Sequence, residues 1–189
     1  MDSGRLIQKS NASDVIFDYY AGNKGISPSH FDGFKNGKPT GDDYVALVSA
    51  EISDESGQAC AEYFINENIN FSLTYRIINK INKTIVPIFE FYTADGTYAF
   101  GATSHKPLNL LPPGDYIFHC KIPPNFLNAG TYFVGICLHS FDGETINHVI
   151  ERNALMFNIK DLISLRGYGY TGPIAGAVRP KFNTSIEKL

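Results

Sequence analysis

The sequence predicts an all-β protein, built as an antiparallel sandwich or barrel. Apolar side chains recur at every second position through residues 69–140, and Gly, Pro and Asn interrupt this pattern at short intervals. A period of two places successive side chains on opposite faces of a strand, whereas a helix needs a period of about 3.6 residues. Short strands separated by turn residues at this spacing are typical of antiparallel sandwiches and barrels.

The composition supports this prediction and narrows the function. Aromatic residues make up 13% of the 189 residues, all of them Phe or Tyr, and such side chains favour strands. One domain is expected at this length, with room for a terminal extension. The formal charge is −3 and no stripe of Lys and Arg is present, so binding to a nucleic-acid backbone is disfavoured.

The clearest predicted strand covers Ile69 to Ile77, where apolar side chains alternate strictly with polar ones. Two more are predicted at residues 87–92 and 98–101. Asp95 and Gly96 join them in a hairpin, because Gly tolerates the positive φ of a tight turn. The other predicted strands, each bounded by turn residues, are residues 44–52, 60–65, 116–122, 131–140, 145–151 and 154–159.

The two ends of the chain differ from this central pattern. A short helix is predicted at residues 14–21 with Ser13 as its N-cap, and residues 28–43, rich in Gly, Pro and Asn, are predicted to be a linker. The domain proper is therefore expected at residues 44–189. From about residue 165 glycines interrupt the chain again, and residues 174–178 are predicted to form one more strand.

Sequence motifs for catalysis are missing. The sequence contains no Walker motif, no Gly-x-Ser-x-Gly motif and no zinc-type spacing of His and Cys, so neither a cofactor nor a metal is expected. Cys120 and Cys137 have opposite phases in their strands, so the three cysteines are expected to be free thiols in a reducing compartment. The first residues resemble no signal peptide, and no apolar run approaches the roughly 18 residues of a membrane span.

The side chains that point away from the core form the candidate site. The residues predicted to face inward are Phe71, Tyr75, Phe89, Phe118, Val134 and Ile136. The same alternation turns outward Arg76, Glu90, Tyr92, His119, Phe133 and His139. Such a face suits a sugar chain, because rings pack against pyranose C–H surfaces while polar groups bond hydroxyls. The alternative is that a second sheet, a loop or a partner covers these rings.

Several short segments, in a fixed order and spacing, carry a family resemblance. They are residues 45–48, 71–75, 86–91, 98–103, 110–114, 116–122, 127–132 and 157–159. In this order they resemble the C-terminal domain of Wzt-type proteins, the ATP-binding subunits of ABC transporters that export O-antigen polysaccharide. Residues 13–20 look like the last short helix of the ATPase domain that precedes the linker in that family.

The resemblance implies an immunoglobulin-like β-sandwich that is not an enzyme and binds O-antigen polysaccharide in the cytoplasm for export. It implies the transporter's nucleotide-binding and membrane subunits as partners, at the inner face of the bacterial inner membrane, and an ABC ATPase as the full-length parent. It also implies a homodimer that exchanges its C-terminal strand, with an arm from about residue 165. No family motif assigns contacts, so the predicted carbohydrate-binding residues are Arg76, Glu90, Tyr92, Phe133 and His139.

Two other functions stay open at this point. The first is a ligand-free, immunoglobulin-like dimerisation module, which differs in having its outward rings covered. The second is an enzyme acting on glycans, which would need two carboxylates about 5 to 10 Å apart across a cleft. Only Glu90 can be placed as an outward carboxylate on a strand, so the enzyme ranks last.

Overall fold

The computed structural model describes Val15, Phe17, Tyr19 and residues 28–35, 37–106, 109–141, 143–166 and 169–188. These residues form eleven strands in two sheets and one short 3-10 helix, Ile163–Leu165. The strands are β1 (His30–Asp32), β2 (Phe34–Lys35), β3 (Lys38–Gly41), β4 (Val45–Ser53), β5 (Glu62–Phe64), β6 (Ile69–Ile77), β7 (Ile85–Thr93), β8 (Tyr98–Thr103), β9 (Gly114–Ile122), β10 (Gly130–Phe141) and β11 (Thr145–Lys160).

The first sheet has the order β2-β3-β4-β6-β9, and β1 pairs with β4 beside β3. The second sheet has the order β5-β11-β10-β7-β8. All neighbours in the two sheets are antiparallel except β5 and β11, which run parallel. The prediction of an all-β antiparallel architecture is therefore confirmed apart from this one pair. Consecutive strands β6 and β7 lie in different sheets, as in a β-sandwich.

Aromatic contacts across the two sheets form the centre of the core. The ring of Phe71 on β6 lies 5.6 Å from Phe89, 5.2 Å from Phe91 and 5.5 Å from Phe157, all three on the second sheet. Each of these rings is fully buried. Burial of one such side chain is worth roughly 1.5–3 kcal/mol. The residues predicted to face inward are confirmed as core, with Phe118 half-buried at its edge.

The segment predicted as a linker, residues 28–43, contains three strands instead. Gly33 is the physical reason, because a Cβ built there would lie 2.0 Å from the carbonyl oxygen of Leu47. The glycine lets the backbone approach β4 closely, and its N–H donates to Val48 O at 2.9 Å. Of the predicted helix at residues 14–21, Val15, Phe17 and Tyr19 are helical, and the rest lies outside the described residues.

Strand β11 joins two predicted strands into one. Its pairing with β10 is interrupted, since Val134 pairs with Leu155 but Ile136 pairs with Glu151. The extra residues of β11 form a bulge in which Asn153 has a φ of 54°. This bulge lies where the sequence predicted a break between the strands 145–151 and 154–159.

The C-terminal segment docks against residues 126–128. Residues 174–178 were predicted to be a strand, but Val178 makes only an isolated bridge to Leu127. The N–H of Asn128 donates to Ala177 O at 2.9 Å, and the Tyr132 hydroxyl lies 2.6 Å from the same oxygen. These hydrogen bonds hold the C-terminal segment in place without a continuous ladder of β-strand pairing.

Asp161 connects the end of β11 to this segment. Its carboxylate accepts hydrogen bonds from Arg179 at 2.9 Å and from Arg166 at 2.6 Å. The bonds from Arg179 and then Arg166 outweigh burial and lower the pKa of Asp161 to about 2. Both ion pairs are therefore intact at neutral pH.

No helix among the described residues is long and apolar enough to cross a membrane. Cys60, Cys120 and Cys137 are free thiols, with Cys120 in the first sheet and Cys137 in the second.

Candidate functional site

A row of aromatic side chains crosses the outer face of the second sheet. Tyr98 on β8 pairs with Tyr92 on β7, and Tyr92 pairs with Phe133 on β10. Phe91 precedes Tyr92 and is buried, and the residues on either side of Phe133 are buried as well. The side chains of Tyr92 and Phe133 therefore point outward. The rings of Tyr92 and Tyr98 meet edge to face at 5.3 Å. We call Tyr92, Tyr98 and Phe133 the aromatic row.

The adjacent row across the same strands has a carboxylate between two glycines. Glu90 on β7 pairs with Gly101 on β8 and with Gly135 on β10. A Cβ at Gly101 would lie 2.6 Å from the Tyr98 hydroxyl, and a Cβ at Gly135 would lie 3.3 Å from Glu90 Oε2. The side chains of Tyr98 and Glu90 therefore lie over the glycines. We call Gly101, Glu90 and Gly135 the glycine row.

A hydrogen bond joins the two rows. The Tyr92 hydroxyl donates to Glu90 Oε2 at 3.0 Å. Burial and then Glu90 raise the pKa of Tyr92, against a small opposite effect of Arg152. Burial and Glu90 also raise the pKa of Tyr98. Both phenols are therefore protonated at neutral pH, and the carboxylate is held in a fixed position.

A cleft of about 490 Å³ opens at one end of the aromatic row. Its walls are Tyr92, Phe133, Arg152 and Asn153 together with the β7–β8 turn, residues 93–96. The β11 bulge thus supplies an arginine and an amide at the rim. Ligand sites in proteins have volumes of about 300–1,000 Å³, so one or two sugar rings fit here.

His139 lies further along the same face, beyond Cys137. The Cys137 thiol is 3.8 Å from His139 Nδ1. Burial and then the nearby His148 lower the pKa of His139, so its imidazole is neutral at pH 7. A neutral imidazole carries both a donor and an acceptor, which suits a hydroxyl partner.

The structure brings four of the five predicted site residues to one face: Glu90, Tyr92, Phe133 and His139. Arg76 lies on β6, on the outer face of the first sheet. There its guanidinium makes two bonds to Asp115, at 2.6 and 2.9 Å. Arg76 is therefore separated from the other four by the thickness of the sandwich.

Sequence reasoning missed Tyr98, Arg152 and the two glycines of the glycine row. Tyr98 could have been predicted as a neighbour of Tyr92 from the hairpin, because counting outward from Asp95 pairs residue 98 with residue 92. No sequence signal marks Arg152, since its position depends on the β11 bulge.

Other described residues line two clefts that are slightly larger. One of about 550 Å³ lies between the β7–β8 turn, the start of β10 and the C-terminal segment. Another of about 540 Å³ lies between the edge strands β8 and β9 and contains Phe100, Phe118 and Phe126. Neither contains a residue of the aromatic row, and Phe100 and Phe118 belong to the core packing.

Ser140, His148 and Asp42 are arranged like a hydrolytic triad but cannot act as one. His148 Nε2 is 2.9 Å from Ser140 Oγ, and His148 Nδ1 is 2.7 Å from Asp42 Oδ2. Burial raises the pKa of Asp42, but His148 and the N–H groups of Val45 and Tyr44 together lower it. Ser140 is 0% exposed, so no substrate reaches its hydroxyl. The three side chains tie the β3–β4 corner to β10 and β11.

No metal centre is formed by the described residues, since no three His, Cys, Asp or Glu side chains among them are placed to hold an ion.

These features define a β-sandwich domain with one outer face built of rings and fixed polar groups. The chain belongs to the Wzt C-terminal domain family, whose model matches residues 38–173. The family resemblance noted from the sequence is therefore confirmed.

Comparison with solved structures gives the same fold. The crystal structure of the C-terminal domain of Wzt matches with a TM-score of 0.61 at 11% identity, covering 82% of this chain and 92% of that chain. The X-ray structure of Northeast Structural Genomics Consortium target SoR45 reaches a TM-score of 0.31 at 18% identity, over 62% of this chain and 88% of that chain. The second likeness is too low to indicate a shared fold. None of the curated proteins matches the chain.

Proposed function

We propose that this chain is a non-catalytic module that recognises O-antigen polysaccharide for export by an ABC transporter. The observation that carries the proposal is the aromatic row with Glu90 fixed beside it by the Tyr92 hydroxyl. Membership of the Wzt C-terminal domain family supports it.

The contacts follow from the chemistry of sugars. A pyranose ring presents C–H groups on its faces, which pack against the rings of Tyr92, Tyr98 and Phe133. Its hydroxyls donate to the carboxylate of Glu90. Charged hydrogen-bond partners are roughly twice as strong as neutral ones. The cleft beside Phe133 and Arg152 continues the surface, so the glycan extends beyond one ring.

The setting we propose is cytoplasmic, at the inner face of the bacterial inner membrane. The module acts there beside the nucleotide-binding and membrane subunits of the transporter, as part of a longer ABC ATPase chain. The sandwich is of immunoglobulin-like type. It has no catalytic role in the transfer of the glycan.

We further propose a homodimer in which the C-terminal segment is exchanged. The tail beyond Arg179 supports this, because Phe182 is 78% exposed and Ile186 is 102% exposed. The bonds that Ala177 makes to Asn128 and Tyr132 form equally well between two chains as within one. Two glycan sites in one dimer raise apparent affinity about 10²-fold or more over a weak single site.

The same exposed tail favours a second candidate, a ligand-free dimerisation module. Large exposed apolar side chains mark interaction surfaces when they cluster, and Phe182 and Ile186 lie in one segment. This alternative predicts a dimer that binds no glycan.

The deciding experiment measures binding of the purified chain to O-antigen polysaccharide from its own source and from an unrelated serotype. We expect retention of its own glycan alone, and loss of retention in Phe133→Ala. Thr74→Ala, on the opposite face, is the control for folding and binding. A folded dimer that binds neither polysaccharide would overturn the proposal and favour the dimerisation module.

A further inference from the structure

The glycine row leads to an inference about which sugars the face accepts, and this inference rests on the proposed function. We infer that Gly101 and Gly135 are positioning residues that lay Tyr98 and Glu90 flat on the sheet, and that the resulting subsite accepts an uncharged, hydroxyl-bearing sugar ring and excludes carboxylate-bearing sugars. Tyr98 is thereby an additional contact residue of the site.

The geometry of the two glycines carries the first step. Any side chain at Gly101 would start 2.6 Å from the Tyr98 hydroxyl, which is closer than carbon and oxygen approach without displacement. Tyr98 is 52% exposed, so its ring is supported from below by the glycine and open above. A side chain at residue 101 would therefore displace the Tyr98 ring from this position.

Gly135 acts in the same way on Glu90. A Cβ at Gly135 would lie 3.3 Å from Glu90 Oε2 and 3.4 Å from the carbonyl oxygen of Glu151. The contact with the Glu151 oxygen is an ordinary one, whereas the closer carboxylate would have to shift by a few tenths of an ångström. That movement would strain the 3.0 Å bond from the Tyr92 hydroxyl. The glycine therefore leaves room for the carboxylate to lie close to the sheet.

The charges around Glu90 carry the second step. Within the described part of the chain, Tyr92 is the residue that donates a hydrogen bond to this carboxylate, through Oε2. The other oxygen, Oε1, is left as an acceptor for sugar hydroxyls. The neighbouring phenols of Tyr92 and Tyr98 and the thiol of Cys137 carry no positive charge at pH 7. Arg152 is a cation on the same face, and it lies at the rim of the cleft beside Tyr92 and Phe133.

The negative charge of Glu90 affects the ionisation of each of these neighbouring groups. It contributes to the raised pKa of Tyr92, of Tyr98 and of Cys137. Arg152 opposes it at Tyr92, but this guanidinium lies at the rim of the cleft on the β11 bulge. A carboxylate on a sugar above Glu90 is therefore repelled, whereas hydroxyl donors are attracted.

Two forms of one polysaccharide test the inference. The probe is O-antigen polysaccharide from the protein's own source, used as isolated and after nitroxyl-catalysed oxidation of its primary hydroxyls to carboxylates. We expect the unmodified chain to bind the native form about tenfold or more tightly than the oxidised form. Glu90→Gln should reduce this ratio to about threefold or less, because the shape is kept and the repulsion is removed.

The glycines are tested with Gly135→Ala and, as a second variant, Gly101→Ala. Each should weaken binding of the native polysaccharide by about fivefold or more, since the contact atoms are displaced. Thr74→Val, on the opposite face, is the control and should bind unchanged. The near-isosteric Glu90→Gln keeps the test decisive should an alanine variant fail to fold.

The outcomes separate the two proposals. Failure of the unmodified, folded chain to bind the native polysaccharide overturns the proposed function. Binding of native and oxidised forms with equal affinity, or binding that Glu90→Gln leaves unchanged, overturns the present inference while recognition of the glycan stands.

Discussion

The outer faces of the two sheets are built by the same alternation of side chains but have different chemistry. On the first sheet, β6 presents short polar side chains and ends in the Arg76–Asp115 ion pair. Lys121 on β9 pairs with Glu55 at 3.1 Å on the same side. On the second sheet, β7 and β10 present two rings of the aromatic row, and the Glu90 carboxylate on β7 is bonded to the Tyr92 hydroxyl.

This difference separates a solvated face from a binding face. Charged side chains that pair in water gain little from their contact, and they keep a surface soluble. Aromatic side chains that stay at the surface expose apolar area, which favours a ligand that covers it. Among the described strands of the first sheet, the large exposed apolar residues are Ile117 on β9 and Phe34 on β2, which lie at opposite edges of the sheet. Clustering of rings, rather than exposure of one side chain, distinguishes the second face.

The largest expected effect is on glycan binding by Tyr92→Ala. The change removes a ring at the centre of the aromatic row and the hydroxyl that holds Glu90. We expect the affinity for the polysaccharide to fall at least about tenfold, or about 1.4 kcal/mol. Isothermal titration of the folded variant measures this, and Tyr92→Phe should lose only part of it because the ring remains.

Thr74→Ala makes the matched change on the first face. Its side chain alternates outward on β6 just as Tyr92 does on β7. We expect unchanged affinity. An equal loss of affinity in both variants would mean that the two faces do not differ in function.

A smaller effect is expected from acidification, through His139. Burial and His148 lower the pKa of this imidazole in the folded state, while the unfolded value is about 6.5. As the pH drops below about 6.5, the unfolded chain binds a proton at His139 more readily than the folded chain does. The free energy of unfolding therefore decreases with falling pH until the pH is below the lowered pKa of the folded state. Above pH about 6.5 the group contributes no pH dependence.

Urea unfolding at pH 5 and pH 7.5 checks this expectation in the unmodified chain and in His139→Asn. The unmodified chain should lose more stability between the two pH values than the variant does. An NMR titration should place the midpoint of His139 below that of a model histidine. A midpoint at or above about 6.5 would contradict the burial of this imidazole.

Alternation in the sequence predicts which way each side chain points, but not which sheet carries it. The inward residues and the outward Glu90, Tyr92 and Phe133 follow from a period of two within a strand. The strand order does not, because β6 pairs with β4 and β9 while β7 pairs with β8 and β10. Arg76 was therefore grouped with residues from which the whole sandwich separates it.

The predictions that failed have local physical causes. Residues 28–43 looked like a linker because Gly33 and Pro39 usually mark loops, yet Gly33 allows close approach to β4. The parallel pairing of β5 with β11 joins residues about 95 apart, and no local pattern encodes such a contact. Hairpins, by contrast, are local, so the turn at Asp95 and Gly96 was predicted correctly.

The smallest effect is expected from Arg76→Ala, which tests the placement of this residue outside the site. The Arg76 guanidinium is exposed, and the hydrogen bonds that it donates to Asp115 raise its pKa further, so it is always charged. Exposed pairs of this kind contribute little to folding because water and salt screen them. We expect unchanged glycan affinity, measured by titration, and an unfolding midpoint close to that of Thr74→Ala. A loss of affinity as large as that of Tyr92→Ala would place the glycan on the first face and reverse the functional assignment of the two sheets.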